Sequence, residues 1–308
     1  MEQRNVGRSG LRASVVGLGC NNFGWTIDAE SSRKVVDKAY DLGVNFFDTA
    51  HVYGSSFGSS EEVLGDIIKG RRDEIVLATK FSGSPQRPRD NSRRFIIGEL
   101  ENALRRLKTD WIDIYMIHWY DVTTPMEEVI RALDDIVTSG KARYIGASNL
   151  SPWRIVEAQW IAKELGANKM ITGQYEYSLL SREVEKETVP AMQAYGLGLV
   201  PYFPLASGLL TGKYLDASAT GRLQKNFLGL GDRLLTEANF DKVRKLDTFA
   251  KEQGHSLLEL AMSWVAQQPA VVSVIAGATR PEQVEQNVAA VNWTLDAEQL
   301  AQVDALLA

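Results

Sequence analysis

Four side chains able to hold or move a proton stand at or just beyond the ends of short apolar runs: Asp48, Tyr53, Lys80 and His118. The run Val44 to Phe47 stops at the Asp48 carboxylate, and Tyr53 follows five residues later, ahead of a Gly/Ser-rich loop from Gly54 to Ser60. Ile75 to Lys80 ends on an ammonium, and Ile112 to His118 ends on an imidazole. In a chain of repeating strands and helices, the C-terminal ends of the strands meet on one face, where barrel enzymes carry their chemistry. A phenol, a cation, a carboxylate and an imidazole gathered there make a candidate proton-transfer site.

The elements that must gather them alternate along the chain. Two short apolar stretches around Ser9-Gly10 predict a hairpin that caps the barrel floor, with Val15–Leu18 leading into the first strand. A helix over 29–42, stopped at Gly43, precedes the strand 44–48. A helix near 60–68, a strand at 75–80, a polar loop over 82–92, a helix at 93–107 and a strand at 112–118 follow. Thr124-Pro125 opens a helix that Gly140 ends, since proline suits a first helical turn. Strands at 144–148, 170–175 and 199–202 alternate with helices from Ser151-Pro152 to Leu165 and over 182–195. A loop-rich connection spans 204–238 and leads to helices at 238–253 and 257–267, a strand at 271–275 and a helix at 281–290. Residues 296–307 form an appended helix.

Eight such repeats predict an α/β fold, a (β/α)8 TIM barrel with an N-terminal β-hairpin and an extra C-terminal helix, forming one domain over 1–308. An open doubly wound sheet would want Gly-x-Gly-x-x-Gly after the first strand. Gly17-Leu18-Gly19-Cys20-Asn21-Asn22 lacks the third glycine.

Composition narrows the class. Apolar residues at 44% and charged residues at 24% are ordinary for a soluble globular chain. A net charge of −5 without a dense Lys/Arg block argues against a nucleic-acid partner. The single cysteine, Cys20, fits a reducing compartment, and the first residues lack the apolar core of a signal peptide. No apolar run nears the ~20 residues of a membrane span, and no zinc-type Cys/His spacing suggests a metal. The expectation is a cytoplasmic protein with no membrane partner and no metal.

The order and neighbours of Asp48, Tyr53, Lys80 and His118 resemble the aldo-keto reductases, and the resemblance runs over essentially the whole chain. It is nearer to the bacterial and potassium-channel β-subunit-like branches. The resemblance implies a catalytic tetrad for reduction of a small carbonyl substrate by NADPH, with NADH a poorer donor. A free phenol titrates near pH 10, so an acid working at neutral pH gains from a nearby cation. Tyr53 is then the acid, Lys80 the cation that lowers its pKa, Asp48 the partner of Lys80, and His118 a donor to the substrate oxygen. Hydride must come from the cofactor, because no side chain supplies one.

The same resemblance assigns cofactor contacts. Ser148, Asn149 and Gln174 take the nicotinamide carboxamide, with Asp48 close by, and Tyr202 stacks on the ring. Gly19 and Asn21 approach the ribose. The segment with Pro204, Leu205, Ser207 and Gly208 leads into a loop over the pyrophosphate, where Lys213 and Arg222 are phosphate ligands. Gly277, Thr279 and Arg280 open a helix whose N-terminal amides suit the 2′-phosphate, and Gln283, Gln286 and Asn287 meet the adenosine. One branch carries lysine where Gly277 stands and arginine where Gln283 stands, so Arg280 would replace their charge. Gly173 and Ala276 are milder departures, from asparagine and proline. Trp25, Phe57, Trp119 and Tyr120 are expected to wall the substrate pocket with Tyr53 and His118.

Two rival readings accompany this one. A cofactor-binding regulatory subunit of a partner protein would share barrel and tetrad. A barrel aldolase or isomerase would use Lys80 as a Schiff base, against which Asp48 argues by keeping the lysine protonated.

Overall fold

The computed structural model describes residues 1–216, 221, 223–226 and 229–307. Gln3–Asn5 (β1) and Arg12–Ser14 (β2) pair as an antiparallel hairpin, with Gln3 opposite Ser14. Eight parallel strands follow: Val16–Gly19 (β3), Phe46–Asp48 (β4), Val76–Phe81 (β5), Ile112–Ile117 (β6), Ala142–Ser148 (β7), Met170–Glu176 (β8), Gly198–Tyr202 (β9) and Val274–Gly277 (β10). Each pairs with its neighbour in chain order, and β10 returns to pair with β3. The remaining seam closes at the floor, where Leu199 bridges Val271 and its amide donates to the Ala270 carbonyl at 2.7 Å. This is a (β/α)8 barrel.

Side chains alternate across a strand, and that period decides what reaches the mouth. One parity of each strand packs outward under the helices: Phe47, Leu77, Tyr115, Ile117, Leu199 and Val274 lie in the large cluster with residues of the surrounding helices. The other parity fills the barrel: Phe46, Val76, Ala78, Ile114, Met116 and Val200 form a separate cluster, plugged from below by Val6 and Ala13 of the hairpin region. Two steps further along the same inward parity stand Asp48, Lys80, His118 and Tyr202. The polar residues thus occupy the top layer of a packed apolar column.

Close packing in that column has a visible cost in residue choice. A Cβ on Gly146 would stand 2.7 Å from Thr172 Cγ2 and 3.3 Å from Met116 Cε, and one on Gly17 would stand 2.8 Å from the Phe46 ring. Neither position has room for a side chain.

The outer helices begin and end where local chemistry allows. Asp28 accepts from the Ser31 amide at 2.8 Å and caps Ala29–Asp41; Ser256 and Glu259 form a reciprocal capping box for Leu257–Gln267. Among the described residues no helix is long and apolar enough to cross a membrane. The N-terminal hairpin and the helix Ala297–Leu307 match the expectation.

Three expected elements differ. The helix expected over 182–195 is split into a 3-10 turn, Glu183–Glu185, and a helix Thr188–Tyr195. Pro190 is the reason: it fits the first turn of the shorter helix but would break the interior of the longer one. The last strand begins at Val274 rather than 271, because Val271 and Val272 are used to close the seam with Leu199. The long connection contains a short helix, Leu230–Leu234, that its Gly-rich composition hid.

Candidate active site

Asp48, Lys80 and Gln174 meet at the centre of the barrel mouth. Lys80 Nζ donates to Asp48 Oδ2 at 2.6 Å and to the Thr49 carbonyl at 2.8 Å, while Gln174 Nε2 donates to Asp48 Oδ1 at 2.8 Å. All three side chains are buried. Burial opposes the Lys80 ammonium, but the Asp48 carboxylate and the nearby Tyr53 oxygen more than offset it, and the lysine pKa ends above its usual value. Lys80 is a held cation, not a free amine.

Tyr53 rises from the loop after β4 and brings its ring centre to 5.0 Å from Lys80 Nζ. His118 meets that ring edge to face, with centroids 5.6 Å apart and planes at 85°. The four residues form one cluster. The expectation that Lys80 lowers the phenol below its ordinary pKa needs correction. Burial raises it, and the Asp48 carboxylate adds to the rise; Lys80 pulls downward without reversing it. Tyr53 is therefore a fully protonated phenol across the neutral range.

His118 is shifted the other way. Burial, then the Lys80 ammonium and His51, hold its imidazole well below the usual histidine range, so the ring is neutral. Its Nδ1 is buried without a hydrogen-bond partner among the described residues. The ring instead lies flat on the Trp119 indole, with centroids 3.8 Å apart and planes 13° apart.

A second set of contacts ties the neighbouring strand ends together. Ser148 Oγ donates to the Gln174 carbonyl at 2.9 Å. Asn149 Nδ2 donates to Ser148 Oγ at 2.9 Å and to the His118 carbonyl at 3.3 Å, and Asn149 Oδ1 accepts from the Tyr202 hydroxyl at 2.9 Å. Asn149 holds a left-handed backbone, φ 58°, which asparagine tolerates better than most residues. Burial, and then Glu176 and Tyr53, push the Tyr202 hydroxyl up to about 12.

The other expected contacts flank this centre in two groups. Gly19, at the end of β3, is in register with both Asp48 and Gly277. A Cβ on Gly277 would be 3.4 Å from both Asn21 Oδ1 and Asn22 Nδ2, so Gly277 packs against these two amides. Gln283 Oε1 accepts from the Thr279 amide at 2.7 Å and its hydroxyl at 3.1 Å, which commits it to the start of the helix Pro281–Ala289. Arg280 and Gln286 are exposed, Asn287 is buried, and Arg280 makes no ion pair among the described residues.

Across the mouth, Pro204 is buried and Leu205 half-buried. Ser207 and Gly208 are both left-handed, φ 56° and 94°, and Ser207 Oγ is buried without a partner among the described residues. A Cβ on Gly208 would lie 3.4 Å from Lys213 Nζ, so these two expected contacts adjoin each other. Arg222 lies outside the described residues. No hydrogen bond or ion pair among the described residues draws Lys213 or Arg280 into the central cluster.

Of the expected pocket walls, Trp25, Phe57 and Trp119 are exposed at the loop ends, and the Phe57 ring packs 5.3 Å from His51. Tyr120 is not a wall. It is buried, its hydroxyl donates to the Thr124 carbonyl at 2.6 Å, and Arg154 lies over its ring. Two supporting residues had no signal in the sequence: His51, whose ring nitrogens lie 3.0 Å and 2.8 Å from the Lys80 and Gly83 carbonyls, and Asn91, buried within the polar loop.

Comparison with known proteins agrees with this arrangement of elements. The sequence profile of the Aldo/keto reductase family matches residues 15–308. An L-glyceraldehyde 3-phosphate reductase of Escherichia coli (strain K12) is 38% identical, over 99% of this chain and 92% of its own length. A probable voltage-gated potassium channel subunit beta of Oryza sativa subsp. japonica is 39% identical, over 95% and 92%. An uncharacterized oxidoreductase of Bacillus subtilis, YrpG, is 37% identical, over 97% and 93%.

Proposed function

The chain belongs to the aldo/keto reductase family of oxidoreductases, and from that premise we propose that it reduces aldehydes or ketones to alcohols with NADPH, using Tyr53 as the acid. One observation carries the reading: the Tyr53 phenol and the His118 imidazole meet edge to face, with centroids 5.6 Å apart, beside a lysine fixed on a buried carboxylate. Reduction builds negative charge on the carbonyl oxygen, and that charge needs a proton and a nearby cation. Tyr53 supplies the proton. Lys80 stabilises the phenolate left behind, and Asp48 and Gln174 keep Lys80 from moving. His118, neutral, donates a hydrogen bond that orients the oxygen.

The bound nicotinamide supplies the hydride. The residues available for holding it fit a dinucleotide. Ser148, Asn149 and Gln174 offer amide and hydroxyl groups at adjacent strand ends, and Tyr202 offers a ring whose hydroxyl is already tethered. Gly277, exposed at the end of β10 and without a side chain, lets a ribose approach the backbone beside Asn21. Ser207 Oγ, buried without a partner among the described residues, suits a phosphate oxygen, and the adjoining Gly208 has no side chain to keep Lys213 away. Arg280, exposed and without an ion pair among the described residues, stands at the start of the helix Pro281–Ala289 and is the group that favours a 2′-phosphate. Gln283, Gln286 and Asn287 of that helix are the groups available to the adenosine, with Gln283 already tied to Thr279 and Asn287 buried.

The test is loss of NADPH absorbance across a panel of aldehydes, ketones and sugars. Turnover of at least one class supports the reading; binding of NADPH with no turnover of any carbonyl opposes it. That second outcome would favour a cofactor-binding subunit of a partner protein, a reading motivated by the likeness to a relative named as a probable channel subunit.

A further inference from the structure

Imidazole rings in working sites are usually oriented by a hydrogen bond to the nitrogen that faces away from the chemistry. His118 has none: its Nδ1 is buried without a partner among the described residues. Its backbone is secured, by its amide to the Phe81 carbonyl at 2.8 Å and its carbonyl to Asn149 at 3.3 Å, but those bonds leave the ring free to turn. What limits the ring is the Trp119 indole lying parallel to it at 3.8 Å and the edge contact with Tyr53.

Trp119 is the residue after His118, and side chains of adjacent residues stack only for a narrow range of backbone geometry. Asn91 bonds to the backbone at this point. Its side chain is fully buried; Nδ2 donates to the Trp119 carbonyl at 3.3 Å, and Oδ1 accepts from the Asp121 amide at 2.6 Å. One amide therefore clamps the backbone on both sides of Tyr120. The clamp sits on a fixed base: the Asp90 amide donates to the Ser82 carbonyl at 2.6 Å, and Ser92 caps the helix Arg93–Leu107. Asp121 adds to the turn by accepting from Thr123 and Thr124 at 2.6–2.9 Å.

We propose that Asn91 is a positioning residue for His118: by clamping Trp119 and Asp121 it sets the indole against the imidazole, and so aims the imidazole at the substrate oxygen. The inference rests on the proposed carbonyl reduction for its kinetic consequence, but not for its structural one. Only an amide serves both contacts, because the position needs a donor and an acceptor on one short planar group. Aspartate keeps the acceptor and loses the donor; alanine loses both.

The test pairs spectroscopy with kinetics. The chain has 3 histidines, so the His118 ring resonances can be assigned by comparison with His118→Ala. Stacking on an indole moves imidazole protons upfield; Asn91→Ala should cancel most of that shift without substrate present, and Asn91→Asp part of it. In turnover, Asn91→Ala should lower kcat by roughly 10- to 100-fold, the cost of a misplaced group, with NADPH affinity unchanged. Combined with His118→Ala it should add almost nothing, because the two act in series. If Asn91→Ala fails to fold, Asn91→Asp carries both measurements. Unchanged His118 resonances in the folded variants would overturn the inference, as would an equal rate loss with and without His118. Should His118→Ala itself leave reduction unaffected, the error lies in the role given to His118 in the proposed reaction, and the resonance shift still decides whether the clamp exists.

Discussion

The Lys80 ammonium lies 5.0 Å from the centre of the Tyr53 ring, and yet the phenol titrates above its ordinary value. Burial of the phenol outweighs the cation, part of whose field is spent on Asp48 at 2.6 Å. The consequence is a pH prediction. Tyr53 stays protonated to above pH 10, and His118, held well below the usual histidine range, stays neutral down through pH 6.5. The kcat/KM of reduction should be level between about pH 6 and pH 9. A limb near pH 6.5 that disappears in His118→Ala would contradict this assignment.

His118 also links pH to stability. The unfolded chain binds a proton on this histidine near pH 6.5, and the folded chain resists doing so. Its contribution is fully present above that pH and is lost as pH falls. His118→Gln should therefore flatten the acid side of the stability curve measured by urea unfolding. An unchanged acid slope would show that the imidazole is not buried neutral.

Removing Lys80 should do more than slow the reaction. Among the described residues, Lys80→Met leaves the buried Asp48 carboxylate with the Gln174 amide as its side-chain donor, and breaking a buried pair typically costs about 3–5 kcal/mol. Adding Asp48→Asn to Lys80→Met removes the stranded charge and should recover most of that loss while the protein remains slow. No recovery in thermal or urea unfolding would mean the pair contributes little to folding.

For cofactor choice, Arg280→Ala should weaken NADPH about tenfold or more, since a charge-assisted bond to phosphate is worth roughly 1.5–3 kcal/mol, and should barely change NADH. Fluorescence titration of both cofactors checks it. Equal affinities in the unmutated protein would remove the basis for the preference.

Inside the barrel, Gly146→Ala introduces a Cβ 2.7 Å from Thr172 Cγ2 and 2.9 Å from the Thr172 carbonyl. Overpacking of this kind costs about 1–3 kcal/mol. Thr172→Ser in the same chain deletes the nearer atom and should return part of the stability. Neutral behaviour of Gly146→Ala would mean that the column yields more readily than its packing suggests.

Strand ends were readable in the sequence because the inward parity of each strand changes abruptly from apolar to polar: Phe46 to Asp48, Ala78 to Lys80, Met116 to His118. Whatever depends on backbone partners was not. Asn91 and His51 make their contacts to carbonyls and amides, which have no letter in the sequence. Tyr120 read as a pocket wall beside Trp119, although one residue of offset turned it inward onto Thr124. The run Val271 to Ile275 is buried throughout, so nothing in its composition marks where seam closure ends and the strand begins. Pro190 did carry the information that split the sixth helix.

Tyr53→Phe tests the proposed proton donor most directly, because it deletes one oxygen and leaves the ring against His118. NADPH should bind with unchanged affinity, and single-turnover reduction of an aldehyde accepted by the unmutated protein should fall by roughly 10²–10⁴, the range supplied by general acid catalysis. A Tyr53→Phe protein that binds NADPH and reduces the aldehyde at the original rate would contradict the account and leave His118 as the group to examine for the proton.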